Sequence, residues 1–132
     1  MPTIFSRIAA GEIPCHKVAE TTDFLAFLDV SPQALGHTLC IPKQEIDYIF
    51  DIEDDLLANL MIFAKNVAKA IAQEVPCKRI GMAVIGLEVP HAHVHLVPLN
   101  SLADITFGKV PVPMSQEELA ILAKKIAKHC TA

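Results

Sequence analysis

Three of the six histidines stand within five residues, His91-Ala92-His93-Val94-His95. Side chains alternate faces along a strand, so His91, His93 and His95 are expected on one side at steps of about 6.7 Å, with Ala92, Val94 and Leu96 on the other. The apolar set suits a core. The imidazole set does not, because each neutral ring carries a donor and an acceptor, and a buried polar group without a partner costs roughly 1–3 kcal/mol. Three rings in register therefore point to chemistry, and two kinds fit. Alternating histidines ligate zinc or another transition metal, with Asp29, Glu88 and Cys40 as formal further ligands. Alternatively, one neutral imidazole attacks phosphorus while its neighbours fix tautomer and charge. Spacing alone leaves both open.

The chain of 132 residues suffices for one core and is expected to form a single domain over residues 1–132. It is 52% hydrophobic and only 20% charged, which argues against disorder. A net charge of −4 argues against a general nucleic-acid or anionic-membrane surface. No apolar run approaches the roughly 18 residues of a bilayer span. The opening Met1-Pro2-Thr3-Ile4-Phe5-Ser6-Arg7 lacks a signal-peptide stretch, so a cytoplasmic location is expected. Cys15, Cys40, Cys77 and Cys130 show no C-x-x-C spacing and are expected to be reduced and mostly buried.

Strands are expected at His16 to Glu20, Phe24 to Val30 and His37 to Ile41, with turn chemistry in Ser31-Pro32-Gln33-Ala34-Leu35-Gly36. From Glu53 to Val75, Leu57, Leu60, Met61, Ala64, Val67, Ala68, Ile71 and Val75 follow helical spacing until Pro76 stops the helix. Leu56, Phe63 and Ala72 widen this stripe beyond the ~100° needed for one core contact. Deep packing and a subunit contact both account for the excess. Further strands are expected at Arg79 to Ile85 and His91 to Val97. A last helix opens at Ser115, with Glu118 completing a capping box, and runs to about His129. The Pro- and Lys-bearing stretch from Asn100 to Met114 reads as a surface loop. The fold class is α+β.

The run from Asp29 through Ser31-Pro32-Gln33-Ala34-Leu35-Gly36-His37 to Pro42-Lys43, followed by Val89-Pro90-His91-Ala92-His93-Val94-His95, resembles the histidine triad (HIT) superfamily. Ile4-Phe5-Ser6-Arg7-Ile8 with Gly11-Glu12-Ile13-Pro14 looks like the opening of its Hint-like nucleoside phosphoramidase branch. The resemblance implies a HIT-like fold: a five-stranded antiparallel sheet with a long helix and a C-terminal helix, two copies joining as a homodimer with a ten-stranded sheet. It implies a purine nucleotide as ligand and no cofactor or metal. It also implies attack on the α-phosphorus by the middle histidine, His93, through a covalent nucleotidyl-histidine that water hydrolyses. By position, His91 would orient the triad and pair with His37. His95 would contact the phosphate or leaving group, and Asp29 would accept the ribose hydroxyls. Phe5, Ile8 and Ile13 would sandwich the base.

The chain departs from that pattern before the triad. The family's glycine-rich loop carries an Asn and a Gly-Gln-Ser/Thr-Val element, whereas here Gly86-Leu87-Glu88-Val89 follows Ile85 directly. A Glu beside phosphate is repulsive unless turned away or protonated, although the backbone N–H groups of Glu88 and Val89 remain donors. A nucleotide-binding or scaffold protein with an altered phosphate loop is therefore the alternative reading. The zinc cysteines of some bacterial relatives are missing, Ser6 standing where one would be, so no structural metal is expected. Without tryptophan, the later loop is not expected to supply the C-terminal aromatic contact of some Hint proteins.

Overall fold

Strands β1 (Lys17–Glu20), β2 (Phe24–Leu28) and β3 (Thr38–Pro42) form consecutive hairpins. The chain then crosses through α2 (Asp54–Glu74) to β4 (Arg79–Ala83) and returns as β5 (Val94–Leu99). β5 inserts between β3 and β4, giving one antiparallel sheet in the order β1-β2-β3-β5-β4. The computed structural model describes residues 2–130. α2 and the C-terminal α3 (Gln116–Ala127) cover one face of the sheet, and α1 (Ile4–Ala9) covers part of the other.

The period-2 rule sorts the residues. Ala26, Leu28, Cys40, Val94 and Leu96 join the large core with Leu60, Ala64, Val67 and Ile71 of α2 and Leu119, Ala123 and Ile126 of α3. Leu25, Phe27, Leu39 and Ile41, on the opposite face, form a smaller cluster closed by Phe5 of α1. α2 occupies the expected span, with Glu53 as N-cap and Val75 as C-cap. Its Phe63 is buried, Leu56 is half-buried and Ala72 is exposed, so core packing absorbs much of the broad stripe but not all of it. The Ser115–Glu118 capping box opens α3 as expected, and the helix ends at Ala127, two residues short of His129.

Several boundaries differ for local reasons. α1 was not expected. Thr3 caps it, its Oγ1 accepting the Ser6 N–H, and one buried residue, Phe5, anchors it. β2 stops at Leu28 rather than Val30 because Asp29 Oδ1 accepts the Ser31 N–H and turns the chain. β4 ends at Ala83, not Ile85. β5 runs from Val94 to Leu99, so His91 and His93 precede it rather than lying within it. Proline at 42 has no N–H for the ladder, and its carbonyl accepts the His91 ring N–H instead. The stretch from Asn100 to Met114 holds a 3-10 turn, Leu102–Ile105, pinned by Asp104 at the Asn100 and Ser101 N–H groups. Of the four free thiols only Cys40 is fully buried; the others are half-buried.

Candidate active site

The face of the sheet opposite α2 carries the histidines. Although His91 and His93 precede β5, the alternation survives: Ala92, Val94 and Leu96 lie in the large core, while Phe5 meets both His91 and His93 edge-on at 5.9 and 5.0 Å. The His93 and His95 rings lean together, 4.8 Å between centroids, closer than an ideal strand step. β3 brings in His37, whose carbonyl accepts the Asp29 N–H at 3.0 Å, so the hairpin between β2 and β3 sets Asp29 and His37 side by side. Gly36 makes this turn possible. Its φ of +94° is left-handed, and a Cβ there would approach Val75 at 3.0 Å and Pro98 at 3.2 Å.

Hydrogen bonds assign the protons. The Gln33 backbone N–H donates to His37 Nδ1 at 3.0 Å, so His37 carries its proton on Nε2. That Nε2–H donates to His95 Nδ1 at 2.9 Å, which leaves the His95 proton on Nε2. His93 Nδ1–H donates to the His91 carbonyl at 2.7 Å, so the His93 lone pair lies on Nε2. His91 donates from Nε2 to the Pro42 carbonyl at 2.8 Å, and its Nδ1 accepts from the Thr3 hydroxyl at 2.8 Å. Among the described residues, neither His93 Nε2 nor His95 Nε2 has a hydrogen-bond partner.

The same contacts correct one expectation. His37 pairs with His95, not with His91, which faces Thr3 and Pro42. In the register Leu39 lies opposite His95, which puts the ring of His37, the residue before β3, beside β5.

Burial disfavours the charged form of His37, His95 and His91. Desolvation, followed by the charge of His93, holds His37 down to about 4. Desolvation, then His93 and His37, holds His95 down to about 3. Burial also lowers His91, opposed by its bond to the Pro42 carbonyl. Asp29 is raised by its own desolvation, against the Ser31 N–H bond and the charge of His93. Its Oδ2 lies 3.7 Å from His37 Nε2, beyond a good hydrogen bond.

Asp29, His37 and His95 offer ligand atoms within 4.8 Å of one another, as a metal site does. The proton pattern does not suit an ion there. A metal on His37 Nε2 would move its proton to Nδ1, where it would face the Gln33 N–H donor.

Phe5, Phe27 and Leu39, with half-buried Ile8 and Val89, line the apolar cluster against His93. Ile13 is half-buried but does not pack on this cluster. Glu88 is exposed and makes no hydrogen bond or ion pair among the described residues, and Leu87 beside it is 89% exposed. The backbone N–H groups of Glu88 and Val89 are likewise unpaired among the described residues. The loop after β5 sets one aromatic beside the histidines that the motifs did not mark: Phe107 lies edge-on to His95 at 4.7 Å and to His37 at 6.1 Å. Thr3, Phe27 and Glu45 were missed because each lies far from the triad in sequence, and Phe107 because nothing in its loop marks it. For Thr3 the cap position before Ile4 was the one available signal.

The sheet, the crossover through α2 and the histidine face define a class, and sequence comparison identifies it. The family model described as the HIT domain matches residues 10–102, and the chain belongs to that family. It is 35% identical over 129 residues to the adenosine 5′-monophosphoramidase hnt1 of Schizosaccharomyces pombe, covering 96% of this chain and 97% of that one. It is likewise 35% identical over 137 residues to the protein hit of Bacillus subtilis, covering 96% and 92%. A crystal structure of a Hit-like protein from Bartonella henselae superposes with a TM-score of 0.83 at 30% identity, covering 96% of this chain and 95% of that one.

Proposed function

We propose that this protein hydrolyses purine nucleoside phosphoramidates, with His93 forming a covalent nucleotidyl intermediate. The observation that carries the reading is the order of protons: a bare Nε2 on His93 beside an Nε2–H on His95. His93 Nε2 forms a bond to the α-phosphorus as the P–N bond breaks, the departing amine takes its proton from water, and the His95 Nε2–H donates a hydrogen bond to a phosphoryl oxygen. Positive charge developing on the His93 ring is met by the His91 carbonyl at Nδ1–H, already in position and needing no reorganisation. Water then displaces His93, its proton passing to solvent, which releases a nucleoside monophosphate and leaves His93 Nε2 bare again. The apolar cluster of Phe5, Ile8 and Val89 receives the base, Asp29 accepts from the ribose hydroxyls, and the N–H groups of Glu88 and Val89 donate to phosphate oxygen. The S. pombe relative named as a phosphoramidase supports the substrate class. A second copy of the chain is the proposed macromolecular partner.

Single-turnover reaction with a labelled adenosine phosphoramidate tests this. Acid-labile label on His93 is expected, with neither label nor turnover in a folded His93→Ala variant. Turnover surviving in that variant would sink the reading. The exposed Leu87 and Glu88, where polar phosphate ligands were expected, favour the alternative of a nucleotide-binding protein; it predicts AMP binding without any label or turnover.

A further inference from the structure

The N-terminal cap of α1 is wired to the triad. His91 is fully buried, and its Nε2–H is committed to the Pro42 carbonyl. Its Nδ1 must therefore accept a proton or lie buried and unsatisfied. Two hydroxyls approach it: Thr3 Oγ1 at 2.8 Å and Ser6 Oγ at 3.3 Å. The single Ser6 hydroxyl proton goes to Glu45 Oε1 at 2.7 Å, which leaves Thr3 as the donor. The same Glu45 oxygen accepts the Thr3 N–H at 2.8 Å, holding Thr3 in place from the segment after β3. Ala92 N–H donates to the Ile46 carbonyl at 2.7 Å, so that segment also grips the backbone between His91 and His93.

We propose that Thr3 is a positioning residue for the reaction, acting through His91 on His93, with Glu45 as its anchor. Thr3 does not touch His93. It fixes the His91 ring, which with the Pro42 bond holds the peptide whose carbonyl accepts His93 Nδ1–H. That bond selects the His93 tautomer with a bare Nε2. Without the Thr3 proton the His91 ring turns or gains a proton, its carbonyl shifts, and His93 spends less time as the attacking tautomer. Small misplacements of this kind cost rate steeply.

This inference rests on the proposed attack by His93, and its test separates the two. Thr3 also caps α1, and α1 carries Phe5 of the base cluster. A role confined to the helix would therefore appear in KM and in stability. Three variants divide the functions: Thr3→Ser keeps cap and donor, Thr3→Val loses both, and Thr3→Asp keeps the cap but as a carboxylate has no proton to donate. Each is followed by kcat and KM on an adenosine phosphoramidate, by thermal unfolding, and by 15N–1H spectra that report the tautomers of His91 and His93. Thr3→Val and Thr3→Asp are both expected to lower kcat by roughly tenfold or more, with His91 and His93 tautomers altered; KM is expected to change little in Thr3→Asp and to rise in Thr3→Val, where the cap is lost as well. Thr3→Ser is expected to restore both. Unaltered imidazole tautomers in Thr3→Val, or a loss carried wholly by KM, would overturn the proposal. Altered tautomers in a protein that turns over no phosphoramidate would uphold the wiring and instead overturn the proposed reaction.

Discussion

His37 is 1% exposed, yet both ring nitrogens are occupied, one accepting from Gln33 N–H and one donating to His95. Burial is the main reason such a ring resists protonation, the charge of His93 adds to it, and a second proton would also point at the Gln33 donor. Its pKa near 4, against an ordinary 6.5, has a consequence for stability. Between pH 6.5 and about 4 the unfolded chain binds a proton at His37 that the folded chain does not. Stability is therefore full above pH 6.5 and falls as the pH drops through that window, by at most about 1.4 kcal/mol per pH unit for this residue. Glu20, drawn down to about 2 by its bonds to Lys17 and then Lys43, loses its contribution only below its ordinary value of 4.5. Denaturant unfolding at successive pH values is expected to show the loss beginning near 6.5, with a shallower slope in His37→Gln. An unchanged slope in that variant would contradict the assignment. At this scale the identity of the histidines was legible in the sequence, but their partners were not, since His37 and His95 are 58 residues apart and only register brings them together.

At the scale of elements, the loop between β5 and α3 does more than connect. Val112 N–H donates to the Pro32 carbonyl, tying the loop to the turn that presents His37. The loop sets Phe107 edge-on to His95 at 4.7 Å, an apolar ring beside the His37–His95 bond. Phe107→Ala is expected to let water reach His95 and raise its pKa from about 3 toward the ordinary imidazole value. Titration of the His95 ring signals by NMR measures this, and a titration unmoved by the substitution would show that Phe107 is not the shield. The loop read as irregular surface because Pro, Lys and Gly dominate it; nothing local marks Phe107. α2 and α3, by contrast, were legible almost to the residue, because caps and 3.6-residue periodicity are local signals. α1 escaped notice because it is six residues long, held by one cap and one buried ring.

At the scale of the whole molecule, the two edges of the sheet differ. β1 presents the ion pair of Lys17 and Glu20, charges that discourage strand addition. β4 and the residues after it expose Met82, Val84 and Ile85, and α2 exposes Ile62. An apolar open edge is a template for a second strand, which supports pairing of two copies there. A solution mass near twice 14.4 kDa is expected, falling to that of one chain in Met82→Lys or Ile62→Glu. A single-chain mass for the wild type at micromolar concentration would refute the pairing. Among the described residues no helix is long and apolar enough to cross a membrane.

The sequence by itself determined the α+β class, the two long helices, the core-facing alternation around the triad and the family, because these rest on periodicity, caps and motif order, all local along the chain. Tertiary structure alone decided which imidazole pairs with which, where each proton sits, and that Thr3, Glu45 and Phe107 stand around the histidines. A hydrogen-bond network has direction only once donors from distant segments meet. The triad that opened the sequence is therefore less a row of like rings on a strand than four histidines, each assigned its tautomer by a different part of the fold.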